Sequence, residues 1–119
     1  MNKASFTSAS GEVPWKLIKC NDAIVNGHIR PYHLQLSPTN RCNGNCTWCS
    51  CSGENRSLEL PFEEIKLIIK HFANLGTKAI TITGGGEPTL HPQFIEILHE
   101  CNLNDIHIGL VTNGKLLFL

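Results

Sequence analysis

Long hydrophobic runs are missing from this sequence. Its uninterrupted apolar stretches last only a few residues, far short of the ~20 that cross a bilayer. The first nine residues, MNKASFTSA, hold one lysine and no apolar segment behind it, so no secretory leader is read there. Neither sign of charge is in excess, since ten Lys and Arg balance ten Asp and Glu. That balance removes the electrostatic argument for a nucleic-acid partner, and there is no acidic tail. Internal repeats and low-complexity tracts are also lacking. What remains is the expectation of a soluble, cytoplasmic chain of 119 residues, 41% apolar, sized for one small domain with a packed core.

Cysteine, by contrast, is concentrated. Four of the six fall within RCNGNCTWCSC, Arg41 to Cys51. In a reducing compartment, clustered cysteines serve metals or redox chemistry more often than disulfides. Loops this short also gain little from a cross-link. Cys42, Cys46 and Cys49 form Cys-x3-Cys-x2-Cys, three thiolates able to wrap three corners of a cubic iron–sulfur cluster. Gly44 lets the backbone turn inside the motif. A 4Fe–4S cluster normally takes four cysteines; with three, one iron keeps an open position for a substrate or cofactor. Cys51 is either a fourth ligand or a spare thiol, and its closeness to Cys49 favours the spare. Structural zinc is the competing use, but zinc sites pair one knuckle with another. Cys20 and Cys101 stand alone, and nothing in the spacing of His28 and His33 demands a metal.

Around the cysteine loop, strand and helix patterns alternate. Residues 15–32 mix short apolar runs with Asn26-Gly27, a turn signal for a small hairpin. HLQLS, 33–37, alternates in period two and Pro38 ends it. PFEEIKLIIKHFANLG, 61–76, carries an apolar stripe at Phe62, Ile65, Ile69, Phe72 and Leu75, with Gly76 placed to stop the helix. KAITIT, 78–83, is strand-like and runs into Gly84-Gly85-Gly86. Pro92 opens a second helix with Phe94, Ile97, Leu98 and Cys101 on its apolar stripe, and DIHIGLVT, 105–112, gives a further strand. This order predicts an α/β fold of right-handed units around a parallel sheet. Two strands keep a polar face, His33, Gln35 and Ser37, then Thr81 and Thr83. That face either lines a wet barrel interior or meets solvent.

The loop after KAITIT, GGGEP, suits close approach of a ligand to backbone. Carbonyl oxygens, or the Glu87 carboxylate, can accept hydrogen bonds from an ammonium group. A phosphate cradle would need a Gly-Lys-Ser/Thr ending or Gly-x-Gly-x-x-Gly, and neither is present. Taken without the cysteines, the loop reads as a tight turn. With them, the pair of motifs resembles the radical S-adenosylmethionine (SAM) superfamily, from about His33 to Gly114, and LVTNG at 110–114 resembles a third strand end of that family.

The resemblance implies a 4Fe–4S cluster on Cys42, Cys46 and Cys49, with SAM on the unique iron. Gly84, Gly85, Gly86 and Glu87 would hold the methionyl amino group. Trp48 would contact the adenine region or else serve as a packing residue. It implies reductive cleavage of SAM to a 5′-deoxyadenosyl radical and hydrogen abstraction from an unknown substrate. An electron donor such as a flavodoxin or ferredoxin would serve it. The expected architecture is the N-terminal half of a partial (β/α) barrel, apparently truncated after the third strand, with residues 1–32 as a lead-in and 33–119 as the core. The open sheet edge and the apolar tail from Leu116 suggest a longer enzyme or a second polypeptide completing the barrel. A non-catalytic metal-binding module and an inert truncated remnant are the alternatives. Asn40 and Arg41 are candidate braces of the cysteine loop, and His91 is read as a turn residue.

Overall fold

The computed structural model describes Ile24, Val25 and residues 27–117, in two compact units that divide after Arg30. The loose leader expected over residues 1–14, Cys20, and the last two residues of the tail lie outside the described residues. In the first unit, β1 (Ile24–Val25) and β2 (His28–Ile29) pair antiparallel, with Gly27 between them at φ 77°. A positive φ costs glycine little, which is why Asn-Gly marks such a turn.

The second unit holds β3 (His33–Leu36), α1 (Phe62–Asn74), β4 (Ala79–Ile82), α2 (Phe94–Leu103) and β5 (His107–Leu110). The three strands form a parallel sheet in chain order, β3-β4-β5. Each step is strand, helix, next strand, without reversal, as in the winding of a β/α barrel wall. Leu36, Ile80 and Ile82 pack with Ile65 and Ile69 of α1 and Ile97 and Cys101 of α2 in one buried core. Both helices therefore cover the same sheet face. On the other face His33, Gln35 and Ser37 are exposed and Thr81 and Thr83 are half-buried, with His33 Nε2 2.8 Å from Thr81 Oγ1.

The two helices end alike. After α1, Gly76 (φ 97°) follows the cap, the Thr77 N–H donates to Phe72 O at 3.0 Å and the Gly76 N–H to Ala73 O at 2.9 Å. After α2, Asp105 (φ 54°) takes the same place, with Ile106 N–H to Cys101 O and Asp105 N–H to Asn102 O, both 3.1 Å. This paired closure satisfies orphan carbonyls and turns the chain back toward the sheet. One expected boundary moves. Pro92 does not open α2, which starts at Phe94 after a 3₁₀ turn at Pro88–Leu90. The buried ring of His91 holds the intervening turn: Nδ1 accepts the Gln93 N–H at 3.1 Å. Its Nε2–H therefore donates to Leu60 O at 2.9 Å.

Candidate functional site

Three loops leave the sheet at the C-terminal ends of its strands, and they interlock. The first runs from Ser37 through the cysteines to Leu60 and closes on itself. Asn40 N–H donates to Leu58 O and Leu60 N–H to Pro38 O, both at 2.9 Å, around a Thr39–Glu59 bridge. Asn40 Nδ2 bonds Asn55 O at 3.2 Å, and Arg41 Nη1 lies 3.4 Å from Glu59 Oε2. The two expected braces thus do brace the loop, although an ion pair this exposed contributes little by itself.

Inside that frame the chain coils through successive tight turns, Cys49 N–H to Cys46 O and Ser52 N–H to Cys49 O, both 3.2 Å. Cys42 and Cys49 are half-buried and Cys46 is exposed. A β-carbon built on Gly44 would sit 3.6 Å from Cys42 Sγ and 3.9 Å from Cys46 Sγ. Both sulfurs therefore lie on the side of the loop where glycine carries no side chain, and Asn113 Nδ2 shares it at 3.7 Å. The Gly44 N–H donates to Cys42 Sγ at 3.3 Å. Cys51 lies a turn further on, with its sulfur 3.7 Å from Ser50 Oγ. Trp48 is 90% exposed and its indole is uncovered by the described residues.

The glycine run lies against the first loop. Gly85 N–H donates to Ser37 Oγ at 2.9 Å, Gly86 N–H to Thr39 O at 3.1 Å, and Glu87 N–H to Arg41 O at 2.7 Å. A β-carbon on Gly86 would overlap the Arg41 carbonyl oxygen and lie 2.5 Å from the Asn40 carbonyl carbon. The close approach that needs glycine here is to the protein's own backbone. Gly86→Ala is accordingly expected to destabilise the fold by roughly 3 kcal/mol, since backbone rather than a yielding side chain must move. Urea unfolding of the variant beside the parent measures it. A change under about 0.5 kcal/mol, the range of neutral surface substitutions, would show that the loops are not wedged together.

Glu87 corrects one expectation. Its side chain points inward, 2% exposed, rather than toward a ligand. Oε1 accepts from Thr89 Oγ1 and Thr112 Oγ1, both at 2.6 Å, and from Thr89 N–H at 3.2 Å. Oε2 accepts the Asn113 N–H at 2.7 Å. Burial pushes this carboxyl up, but the bonds from Asn113, Thr112 and Thr89 outweigh it and hold it below its ordinary value of 4.5. Among the hydrogen bonds of the described residues, none ends on the carbonyl oxygens of Gly84, Gly85 or Gly86. Those carbonyls thus have no hydrogen-bond partner among the described residues, whereas both oxygens of the Glu87 carboxylate have one.

The third loop, after β5, reaches the cysteines directly. Asn113 Nδ2 bonds Asn43 Oδ1 at 2.8 Å, and Lys115 Nζ bonds Asn43 O at 3.0 Å. Thr112 and Lys115 were invisible in the sequence pattern. The only signal was their nearness to the Asn-Gly turn that resembles a family strand end. Cys101, by contrast, is remote in the core, its thiol pushed up to about 11 by burial and by the neighbouring Glu100 carboxylate. A thiol so placed is inert.

The sequence model of the Radical SAM superfamily matches residues 36–118, spanning all three loops. The chain belongs to the radical SAM superfamily. Members of the superfamily use a 4Fe–4S cluster and SAM. Among curated radical SAM relatives, a GTP 3',8-cyclase of Pasteurella multocida is 41% identical over 101 residues, covering 79% of this chain and 30% of the relative. A GTP 3',8-cyclase of Vibrio atlanticus is 46% identical over 77 residues, 60% of this chain and 23% of the relative. The chain therefore spans less than a third of the length of these relatives. In fold it resembles Streptococcus suis SuiB, solved bound to S-adenosylmethionine, with TM-score 0.67 and 24% identity over 86% of this chain and 23% of that one. A second SuiB structure, bound to the precursor peptide SuiA, aligns with TM-score 0.67 and 19% identity over 98% of this chain. At that identity the likeness shows the barrel-type fold alone.

Proposed function

We propose that residues 33–119 form the cluster- and SAM-binding part of a radical SAM enzyme of the GTP 3',8-cyclase type. The observation that carries this is that Cys42 Sγ and Cys46 Sγ lie on one side of Gly44, in a loop hydrogen-bonded to the glycine run. Cys42, Cys46 and Cys49 would hold a 4Fe–4S cluster, and Cys51 would stay outside it. The carbonyls of Gly84–Gly86 would accept the ammonium of SAM, and the uncovered Trp48 indole would meet its adenine. Glu87 supports the glycine run from behind. The donor set fits a cluster better than zinc. Structural zinc sites pair one cysteine knuckle with a second, and the described cysteines outside Cys42–Cys51 amount to Cys101, buried in the core. Among the described residues no group of three or more His, Cys, Asp or Glu side chains stands gathered for a metal ion.

When bound, the cluster and SAM supply one-electron cleavage of the sulfonium and abstraction of a hydrogen atom from substrate. This chain's residues supply thiolates, a defined backbone edge and an apolar lid in Trp48. The relatives' name supports GTP as the substrate class, in place of the unknown substrate expected from the sequence. The superfamily chemistry needs a one-electron donor of flavodoxin or ferredoxin class. β3 and β5 each pair only with β4 among the described strands, which leaves sheet edges for further strands, from more chain or a second polypeptide. Five described cysteines are all free, which supports a reducing, cytoplasmic setting. No helix among the described residues is long and apolar enough to cross a membrane.

The test is anaerobic reconstitution of the chain with iron and sulfide, followed by paramagnetic resonance of the reduced protein with and without SAM. A cluster signal that shifts on adding SAM is expected. A colourless protein holding a single zinc would overturn the proposal in favour of a structural metal module. A cluster indifferent to SAM would mark an inert remnant.

A further inference from the structure

The first turn of the cysteine loop is gripped by three side chains that the cluster motif does not include, and one of them, Asn113, lies on the same side of Gly44 as the sulfurs. Arg56 Nη1 donates to Gly44 O at 3.1 Å and reaches Cys42 O at 3.5 Å. Lys115 Nζ donates to the carbonyl between them, Asn43 O, at 3.0 Å. Three consecutive carbonyls thus face two cations. Asn113 Nδ2 holds the Asn43 side chain at 2.8 Å, and its own Oδ1 accepts the Lys115 N–H at 3.0 Å. The origin of this grip is the end of β5, some seventy residues away in sequence, where Glu87 fixes the Asn113 N–H at 2.7 Å.

The consequence is one of peptide orientation. A carbonyl pulled outward turns its peptide plane, and the N–H of the same plane then points inward. The Gly44 N–H, which shares its plane with Asn43 O, does point inward, to Cys42 Sγ at 3.3 Å. Lys115 therefore acts on the sulfur through one rigid peptide unit. A charge-assisted bond of this kind is stronger than a neutral one. Cations held at these carbonyls would also offset the negative charge of a cluster bound on the loop.

We propose that Lys115 and Asn113, with Arg56, are positioning residues that hold the Cys42–Gly44 turn in its receiving shape. They set the Gly44 N–H on the Cys42 sulfur before any cluster arrives. That the turn receives a cluster rests on the function proposed above; that Lys115 orders the turn does not.

The experiment therefore has two arms on the same full chain. In the metal-free protein, alkylation of Cys42 by iodoacetamide is followed residue by residue, with Cys51 as the internal reference. Lys115→Met is expected to lower the Cys42-to-Cys51 rate ratio roughly threefold to tenfold, the range of one hydrogen bond lost from the attacking sulfur. Lys115→Arg, which keeps the carbonyl contact, should restore it. In the reconstituted protein, Lys115→Met should lose iron to a chelator faster than the parent and reduce at a more negative potential, with Lys115→Arg again close to the parent. An unchanged alkylation ratio in Lys115→Met overturns the proposal. So does a ratio that Lys115→Arg fails to restore while the far-ultraviolet spectrum stays native. If the parent takes up no cluster, the functional assignment fails, and the alkylation arm still decides for or against the grip.

Discussion

Replacing Cys42, Cys46 or Cys49 singly by serine is expected to drop iron uptake from about four per chain to below about one. Cys51→Ser is expected to leave it unchanged. The reason is geometric. Cys42 Sγ and Cys46 Sγ lie on one side of Gly44, and the Cys49 N–H bond to Cys46 O closes a tight turn that keeps Cys49 next to Cys46. Cys51 sits a turn beyond, against Ser50. A serine hydroxyl is a poor substitute for thiolate at an iron–sulfur corner, because it stays protonated and hard where the cluster needs a soft anion. The loss should not be a folding effect. Cys46 is exposed and the other two are half-buried, so the far-ultraviolet spectrum and unfolding midpoint should stay near those of the parent. Iron and sulfide analysis after anaerobic reconstitution reads the outcome. Full loading of Cys46→Ser, or loss of loading in Cys51→Ser, would mean that the ligand set has been drawn wrongly.

The second large effect is expected at Glu87. Glu87→Gln should destabilise the chain by roughly 3 kcal/mol, about the strength of charged hydrogen bonds lost in a buried place. Every partner of this carboxylate is donating to it, through Thr89, Thr112 and Asn113. An amide that keeps its oxygen on the Asn113 N–H must turn its NH2 toward the Thr89 N–H, which cannot accept, and the Thr89 and Thr112 hydroxyls must reverse to accept it. The pH dependence has a definite sign. The folded carboxyl titrates below its ordinary value of 4.5. Its contribution is therefore fully present above that value and is lost as pH falls through the lowered folded pKa. The parent should lose stability on acidification in that window, and Glu87→Gln should lack that share of the loss. Urea unfolding at neutral pH and then stepwise into acid measures both. Equal stability of parent and variant at neutral pH would show that the carboxylate is not the knot between the second and third loops. The knot also bears on the cysteines, since Asn113 and Lys115 touch Asn43. Glu87→Gln should for that reason loosen the cysteine loop as well.

Much of this molecule could be read from residue order. The apolar stripe of α1 at Ile65 and Ile69, the β-rich run at Ile80 and Ile82, and the stop at Gly76 are local signals, and all three fell where expected. The helix opening at Pro92 did not. There a buried histidine and a 3₁₀ turn hold the chain, and the partner of that histidine is Leu60, thirty-one residues away. Local patterning carries no information on such a bond.

The sequence by itself determined the chemistry on offer. Three thiols at Cys-x3-Cys-x2-Cys and a glycine run at the next strand end follow from spacing along one chain, and spacing is a covalent property. Only the tertiary structure decided how those groups are aimed. It turned Glu87 inward, left the carbonyls of Gly84–Gly86 and the Trp48 indole without partners among the described residues, and brought Lys115 onto the loop of Cys42. Each of these depends on parallel strands in register bringing three loop starts side by side. Hydrogen bonds between residues far apart in sequence are fixed by that register and by nothing nearer.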